Sequence, residues 1–126
     1  MSFDWRNYLK LAEYLYLNID SEAACRTGIS RAYYSVLCAA KVFCLNEKIL
    51  SLHETRGSQV HRNVINSLID HQERDFVKIG KKLETLREKR NDADYDSFKK
   101  GLDKKELCIT IEMSKDIFTM IEDLHA

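Results

Sequence analysis

Helix-breaking residues are scarce in this sequence, which has no proline and only four glycines among 126 residues. Proline disrupts the interior of a helix and glycine weakens it, so long stretches of the chain are free to be helical. Those stretches are rich in leucine, alanine, glutamate, lysine and arginine, the residues that favour helices. The sequence therefore predicts an all-α protein.

A net charge is also missing, because 20 lysine and arginine residues balance 20 aspartate and glutamate residues. A protein that coats nucleic acid would be broadly basic, so that class is disfavoured. A local basic site is still compatible with the sequence, since segment 78–105 carries ten basic and six acidic residues, a net charge of +4. That segment either attracts RNA or nucleotide phosphate or is a solvated helix face with ion pairs.

None of the four cysteines stands in a Cys-x-x-Cys spacing, which disfavours a structural zinc site. Cys25 and Cys38 fall in one predicted helix and are 13 residues apart. At 1.5 Å per residue this is roughly 20 Å, beyond the reach of a disulfide. We therefore expect reduced thiols in a cytoplasmic protein. We also expect no signal peptide and no membrane span, because no apolar segment has the required length.

Recognisable cofactor and metal motifs are absent as well. The sequence has no glycine-rich phosphate loop, no nucleophile elbow and no HExxH zinc motif. His53 and His61 flank a predicted loop, but no carboxylate or cysteine cluster accompanies them. We expect surface or capping roles for these two histidines, and we expect no cofactor and no metal.

The apolar periodicity predicts five helices, at about residues 2–18, 21–47, 58–70, 73–94 and 103–124. Four residues stand where N-caps are expected, for the first, second, third and fifth helix respectively: Ser2, Asp20, Ser58 and Asp103. We expect a single domain over residues 1–126. Its predicted architecture is an up-and-down bundle of four long helices plus the shorter third helix.

The apolar face of the fourth predicted helix ends in two charged residues. Four apolar residues share this face at helical spacing: Phe76, Ile79, Leu83 and Leu86. Arg90 and Asp94 occupy the next two positions on it. Burying a charge is costly unless it is paired. Either the bundle opens here into a polar cleft, or Arg90 and Asp94 find partners inside.

Three segments in the same order along the chain resemble those of a known family. They are ISRAYYSVLCAAKVF (29–43), HRNVINSLID (61–70) and LREKRNDADYD (86–96). They resemble the Arg-Ala-Tyr-Tyr helix, the His-led helix and the Arg-x-x-Ala-Asp-Tyr signature of HEPN domains, in the small prokaryotic branch of that family. The resemblance implies a helical bundle that forms a homodimer, with the polar clefts of the two subunits facing each other.

The resemblance also implies a function. Many HEPN proteins are metal-independent ribonucleases of toxin–antitoxin, CRISPR and abortive-infection systems, with a signature of Arg, then Asn, Asp or His, then a later His. On this basis the candidate catalytic residues are Arg90, Asn91 and Tyr95, where Tyr95 stands in the position of the signature His. No other histidine lies nearby in the sequence, because His71 comes earlier and His125 is close to the C-terminus.

Metal-free cleavage of RNA needs a base for the 2′-hydroxyl and a group that stabilises the phosphorane. Tyrosine, with an ordinary pKa of about 10, is a poor base unless a nearby cation lowers its pKa. Arg90 could supply that cation and also hold a phosphate. In the alternative interpretation, Arg90 and Asp94 form an i, i+4 ion pair while Tyr95 hydrogen-bonds to another helix.

Three tyrosine and arginine positions of the second helix bear on the same cleft. Arg31 lies away from the apolar stripe, and belongs either to the polar cleft or to an ion pair with an acidic residue such as Asp94 or Glu84. Tyr33 lies on the apolar stripe and is expected in the core. Tyr34 lies beside the stripe and could reach a cleft or an interface.

The leading interpretation is a HEPN protein of a prokaryotic toxin–antitoxin or defence-like system, with metal-independent ribonuclease activity at a site in which tyrosine replaces histidine. One alternative is a non-catalytic HEPN module that binds a minimal nucleotidyltransferase or a nucleotide. Another is a plain dimeric scaffold. The resemblance further implies that a partner nucleotidyltransferase can modify such a protein, and Tyr95 is the candidate acceptor.

Overall fold

The computed structural model describes residues 2–125. Its five α-helices are α1 (Arg6–Asn18), α2 (Glu22–Asn46), α3 (Val60–Ile69), α4 (Arg74–Tyr95) and α5 (Lys104–His125). A short 3₁₀ turn, His53–Thr55, lies between α2 and α3, and residues 2–125 contain no strand. The predicted all-α helical bundle is therefore confirmed. The first helix begins at Arg6 rather than Ser2, so α1 is a short helix like α3.

Helix α2 is the centre of the bundle and packs against α1, α4 and α5. One apolar face of α2 is at most 1% exposed at each of five positions: Ile29, Tyr33, Val36, Ala40 and Phe43. Full burial of a large apolar side chain stabilises a fold by about 1.5–3 kcal/mol. Since α2 is buried on more than one side, it holds the other helices in register around it.

The caps of α2 and α5 show how the chain enters these helices. Ser21, not the predicted Asp20, is the N-cap of α2, because its backbone is extended and its Oγ accepts a hydrogen bond from the Ala24 amide (3.1 Å). Asp103 precedes α5 as predicted, and its Oδ1 accepts a hydrogen bond from the Glu106 amide (3.1 Å). Both side chains satisfy amides that the first turn of a helix leaves free.

The starts of α1 and α3 differ from the predictions. Ser2 precedes the first helix by several residues, and Asp4 Oδ1 accepts the hydrogen bond from the Arg6 amide instead (3.0 Å). Gln59, not the predicted Ser58, occupies the N-cap position of α3, and its side chain makes no capping hydrogen bond. Helix α3 therefore depends mainly on packing for its stability.

Two glycines permit close contacts between helices. A Cβ atom on Gly80 of α4 would lie 2.9 Å from the backbone nitrogen of Ile69 and 3.0 Å from Cβ of Leu68. A Cβ atom on Gly28 of α2 would lie 2.7 Å from a terminal carbon of Leu107 in α5. The absence of a side chain at Gly80 thus allows the end of α3 to pack against α4.

All four cysteines are free thiols. Cys25 and Cys38 both lie in α2, as predicted. Cys25 and Cys44 are buried, and burial raises the pKa of the Cys44 thiol to about 11. Among residues 2–125, no helix combines the length and the apolar character required to cross a membrane.

Candidate functional site

Arg90 ends the buried stripe of α4 and is only 6% exposed. Three tyrosine rings surround its guanidinium carbon. Their centroids lie 5.3 Å away for Tyr33, 5.4 Å for Tyr34 and 5.7 Å for Tyr95. A guanidinium stacks favourably on aromatic faces because the ring quadrupole attracts positive charge. We call these four residues, together with His61 described below, the Arg90 cluster.

The charged partner of Arg90 is held loosely. Nη1 of Arg90 lies 3.9 Å from Oδ2 of Asp94, at the upper limit for an ion pair, and Nε of Arg90 has no hydrogen-bond partner among residues 2–125. Asp94 reaches solvent at the rim and accepts a hydrogen bond from Ser30 Oγ (3.1 Å). The two alternatives from the sequence, a bundle that opens into a polar cleft and charged residues with partners inside it, are therefore each met in part. Arg90 is enclosed, whereas Asp94 stays at the edge of the bundle.

Tyr95 closes the outer side of the Arg90 cluster. Its side chain is 74% exposed, and its hydroxyl makes no hydrogen bond to any of residues 2–125. Of the alternative interpretation, the hydrogen bond from Tyr95 to another helix is therefore not formed within residues 2–125. The ring lies against Arg90 while the hydroxyl is open to solvent.

Asn91, the third predicted site residue, lies apart from Arg90 and Tyr95. It is exposed and lines a groove of about 320 Å³ between α3 and α4. The groove is lined by three residues of α3 and four of α4: Arg62, Ile65, Asn66, Glu84, Arg87, Glu88 and Asn91. Arg87 is shared, because its positive charge also acts on Tyr33 and His61 of the Arg90 cluster.

His61 is the member of the Arg90 cluster that sequence reasoning did not assign to the site. Its Nδ1 lies 2.8 Å from the hydroxyl oxygen of Tyr33, and its ring stacks parallel to the Tyr33 ring. It also meets Tyr34 edge to face. The expected surface or capping role is wrong, since His61 lies on the inner side of α3. The position of His61 at the head of the second resembling segment was the available signal.

Burial and positive charge control the titration of this pair. Burial, assisted by the charges of Arg90 and Arg87, lowers the pKa of His61 from 6.5 to about 4. Burial also raises the pKa of Tyr33, although the same two arginines oppose that rise. At neutral pH the imidazole and the phenol are therefore both uncharged.

Arg31 joins the margin of the same cluster through aromatic contacts. Its guanidinium carbon lies 4.9 Å from the Tyr34 centroid and 5.1 Å from the Tyr8 centroid. Within residues 2–125 it forms no ion pair with Asp94 or Glu84, so that expectation is wrong. Tyr34 thus lies between two guanidinium groups, one from α2 and one from α4.

The loop after α4 presents an aromatic ring beside basic residues. Phe98 is 92% exposed, and its amide donates a hydrogen bond to Oδ1 of Asp96 (3.0 Å). Lys99 lies 3.7 Å from Asp92, and Lys100 is exposed. Part of the basic segment is thus paired, as in the solvated-face interpretation, and part of its charge is unpaired next to Phe98.

No cluster of three or more histidine, cysteine, aspartate or glutamate side chains suited to a metal ion occurs within residues 2–125. Comparison with known proteins finds no match for this chain among protein-family models, curated proteins or solved structures.

Proposed function

We propose that this chain is a HEPN-type protein of a prokaryotic toxin–antitoxin or defence system, and that it acts on RNA as a metal-independent endoribonuclease. Arg90 holds the phosphate, Tyr95 contacts the reacting nucleotide from the open side, and Asn91 binds RNA in the adjoining α3–α4 groove. The chain works as a homodimer in the cytoplasm, with the two sites facing each other. The segment resemblance described above supports this assignment.

The observation that carries the proposal is the state of Arg90. Its guanidinium is almost fully buried, yet within the described part of the chain Nε is unpartnered and the contact to Asp94 is 3.9 Å long. A buried charge whose nearest anion is 3.9 Å away is costly, and a phosphate in the place of Asp94 would pair with the Nη side of the guanidinium through charge-assisted hydrogen bonds. Asp94, whose side chain is 27% exposed at the rim, is the group that such an anion would replace.

The exposed groups at the C-terminal end of α4 and in the loop that follows favour RNA over a small anion. Tyr95 and Phe98 expose aromatic rings on which bases can stack, and the lysines of the following loop supply positive charge for the backbone. Stacking and backbone contacts together are the usual means by which proteins bind single-stranded nucleic acid.

The test is incubation of the purified chain with single-stranded RNA in the presence of a metal chelator. We expect cleavage, with a loss of at least tenfold in Tyr95→Phe and in Arg90→Lys, which keeps the charge but loses the fork geometry. Arg74→Ala, an exposed arginine at the other end of α4, is the matched control and should cleave normally. Intact RNA with a folded dimer would refute the nuclease assignment.

A second candidate function is favoured by the open Tyr95 hydroxyl. A partner nucleotidyltransferase would use it as an acceptor, so that the phenol oxygen bonds to the α-phosphorus of ATP while pyrophosphate leaves and the proton goes to solvent. Mass spectrometry of peptide 86–99 after incubation with the partner and ATP tests this. The adduct should be absent in Tyr95→Phe, and its absence from the unaltered chain would eliminate this function.

A further inference from the structure

We propose that His61 is a phosphate-binding residue that acts as an uncharged hydrogen-bond donor through Nε2, so that RNA is contacted from α3 as well as from α4. This inference rests on the proposed function and extends it, because it supplies a histidine from a different helix than the one where the signature expects it. The chemical class of the ligand is a phosphodiester.

The hydrogen bond between His61 and Tyr33 determines which ring nitrogen carries the proton. The Tyr33 side chain is fully buried, and its hydroxyl has no acceptor within residues 2–125 other than Nδ1 of His61, 2.8 Å away. An unpaired buried hydroxyl is costly, so Tyr33 donates its hydrogen to Nδ1. The neutral imidazole then carries its own hydrogen on Nε2.

Nε2 of His61 is the ring nitrogen that does not bind Tyr33. It makes no hydrogen bond to residues 2–125, and it is not among the sealed polar atoms that lack a partner. His61 itself is only half-buried. Nε2 therefore has a donor hydrogen available to a ligand that enters beside α3.

The charges that face His61 come from two helices. Helix α2 supplies the phenols of Tyr33 and Tyr34, and α4 supplies the cations Arg87 and Arg90. On the neighbouring 3₁₀ turn the one carboxylate, Glu54, is bound to Ser51. The two guanidinium groups attract a phosphate to this point and at the same time disfavour a proton on Nδ1. A neutral donor beside two cations matches a singly charged phosphodiester.

The first test measures the tautomer and charge of the His61 ring directly and does not require cleavage of RNA. Long-range nitrogen–proton NMR on the full chain should show His61 as the Nε2–H form, uncharged from pH 8 to pH 5. Titration with inorganic phosphate should shift Nε2 of His61 and leave His53 unchanged. The proposal would be overturned if the ring carried its proton on Nδ1 or became charged near pH 6.5. It would also be overturned if phosphate did not shift the Nε2 signal.

The second test distinguishes a hydrogen bond donated by His61 from a proton transferred by it. Glutamine at this position retains an N–H near the place of Nε2, whereas alanine does not. Binding of single-stranded RNA should weaken roughly tenfold or more in His61→Ala and at most about threefold in His61→Gln. His53→Ala is the matched control. Equal losses in both His61 variants, or none in either, would overturn the inference.

The outcomes for the two proposals are distinguishable. If the unaltered chain neither binds nor cleaves RNA, the proposed function fails, and the phosphate titration still decides the role of His61. If the unaltered chain cleaves RNA and His61→Ala cleaves equally well, the proposed function stands and the inference about His61 fails.

Discussion

Arg26, in the second turn of α2, donates a 2.9 Å hydrogen bond from Nη1 to the carbonyl oxygen of Asp96, the residue that follows α4. Its guanidinium binds three further carbonyl oxygens around the same helix end: Asp92, Ala93 and Lys99. The last carbonyls of a helix have no partner within the helix, so one arginine side chain satisfies several of them. The loop that carries Phe98 is fixed to α2 in this way.

Replacing Arg26 by alanine should reduce the free energy of unfolding by about 2–4 kcal/mol, because several charge-assisted hydrogen bonds to backbone carbonyls are lost. The control is Arg6→Ala, since Arg6 is exposed and bound mainly to Asp4; exposed pairs of this kind contribute at most about 1 kcal/mol. Urea unfolding of both variants measures the difference. Equal losses of unfolding free energy in Arg26→Ala and Arg6→Ala would show that the Arg26 contacts do not stabilise the loop.

Alanine at Gly80 should be destabilising by roughly 1–3 kcal/mol, because its Cβ would meet backbone of Ile69, which cannot rotate away. Gly28→Ala is the paired control, since its Cβ would meet only the flexible end of Leu107. There the gain in helix propensity, about 1 kcal/mol, offsets much of the strain. In thermal and urea unfolding, Gly28→Ala should be more stable than Gly80→Ala. The reverse order of stability would contradict this account.

The stability of the fold should fall as the pH is lowered from 6.5 to 4. The pKa of His61 is lowered to about 4 in the folded state, so over this range the unfolded chain binds a proton that the folded chain does not. The stabilisation is fully present above pH 6.5 and is lost as the pH falls. We expect a loss of roughly 1–2 kcal/mol after allowance for solvent screening.

Urea unfolding at several pH values measures this dependence, and His61→Gln isolates it from the carboxylates that also titrate. The variant should lack the part of the decline that lies between pH 6.5 and 4. If the two curves run parallel through that range, His61 titrates normally in the folded state.

Phe98→Ala should weaken the binding of single-stranded RNA without altering stability. A base stacked on an aromatic side chain contributes about 1–3 kcal/mol, which corresponds to roughly fivefold to more than a hundredfold in affinity. Tyr14→Ala is the control, because Tyr14 is also an exposed aromatic residue, 57% accessible, but lies on α1. Fluorescence anisotropy with labelled RNA measures both. Equal RNA affinities of Phe98→Ala and the unaltered chain would show that Phe98 does not contact RNA.

Local patterns in the sequence predicted the helices well because helical periodicity is local. The stripe from Ile79 to Leu86 is buried as predicted, and Arg90, the next position on it, is buried too. The prediction weakened where the outcome depended on neighbouring helices. Asp94 continues the same stripe but lies at the rim, since the bundle ends there.

The sequence by itself determined an all-α fold, the apolar faces and the placement of a charged residue where a core residue belongs. Only the tertiary structure decided which groups meet Arg90. His61 and Tyr33 are 28 positions apart, and Arg26 reaches carbonyls 66 to 73 positions away. Such contacts depend on how helices pack and in which direction each side chain points, and helical periodicity carries no information about either. The Arg90 cluster is therefore an assembly of α2, α3 and α4, whereas the candidate catalytic residues taken from the resemblance all lie on α4.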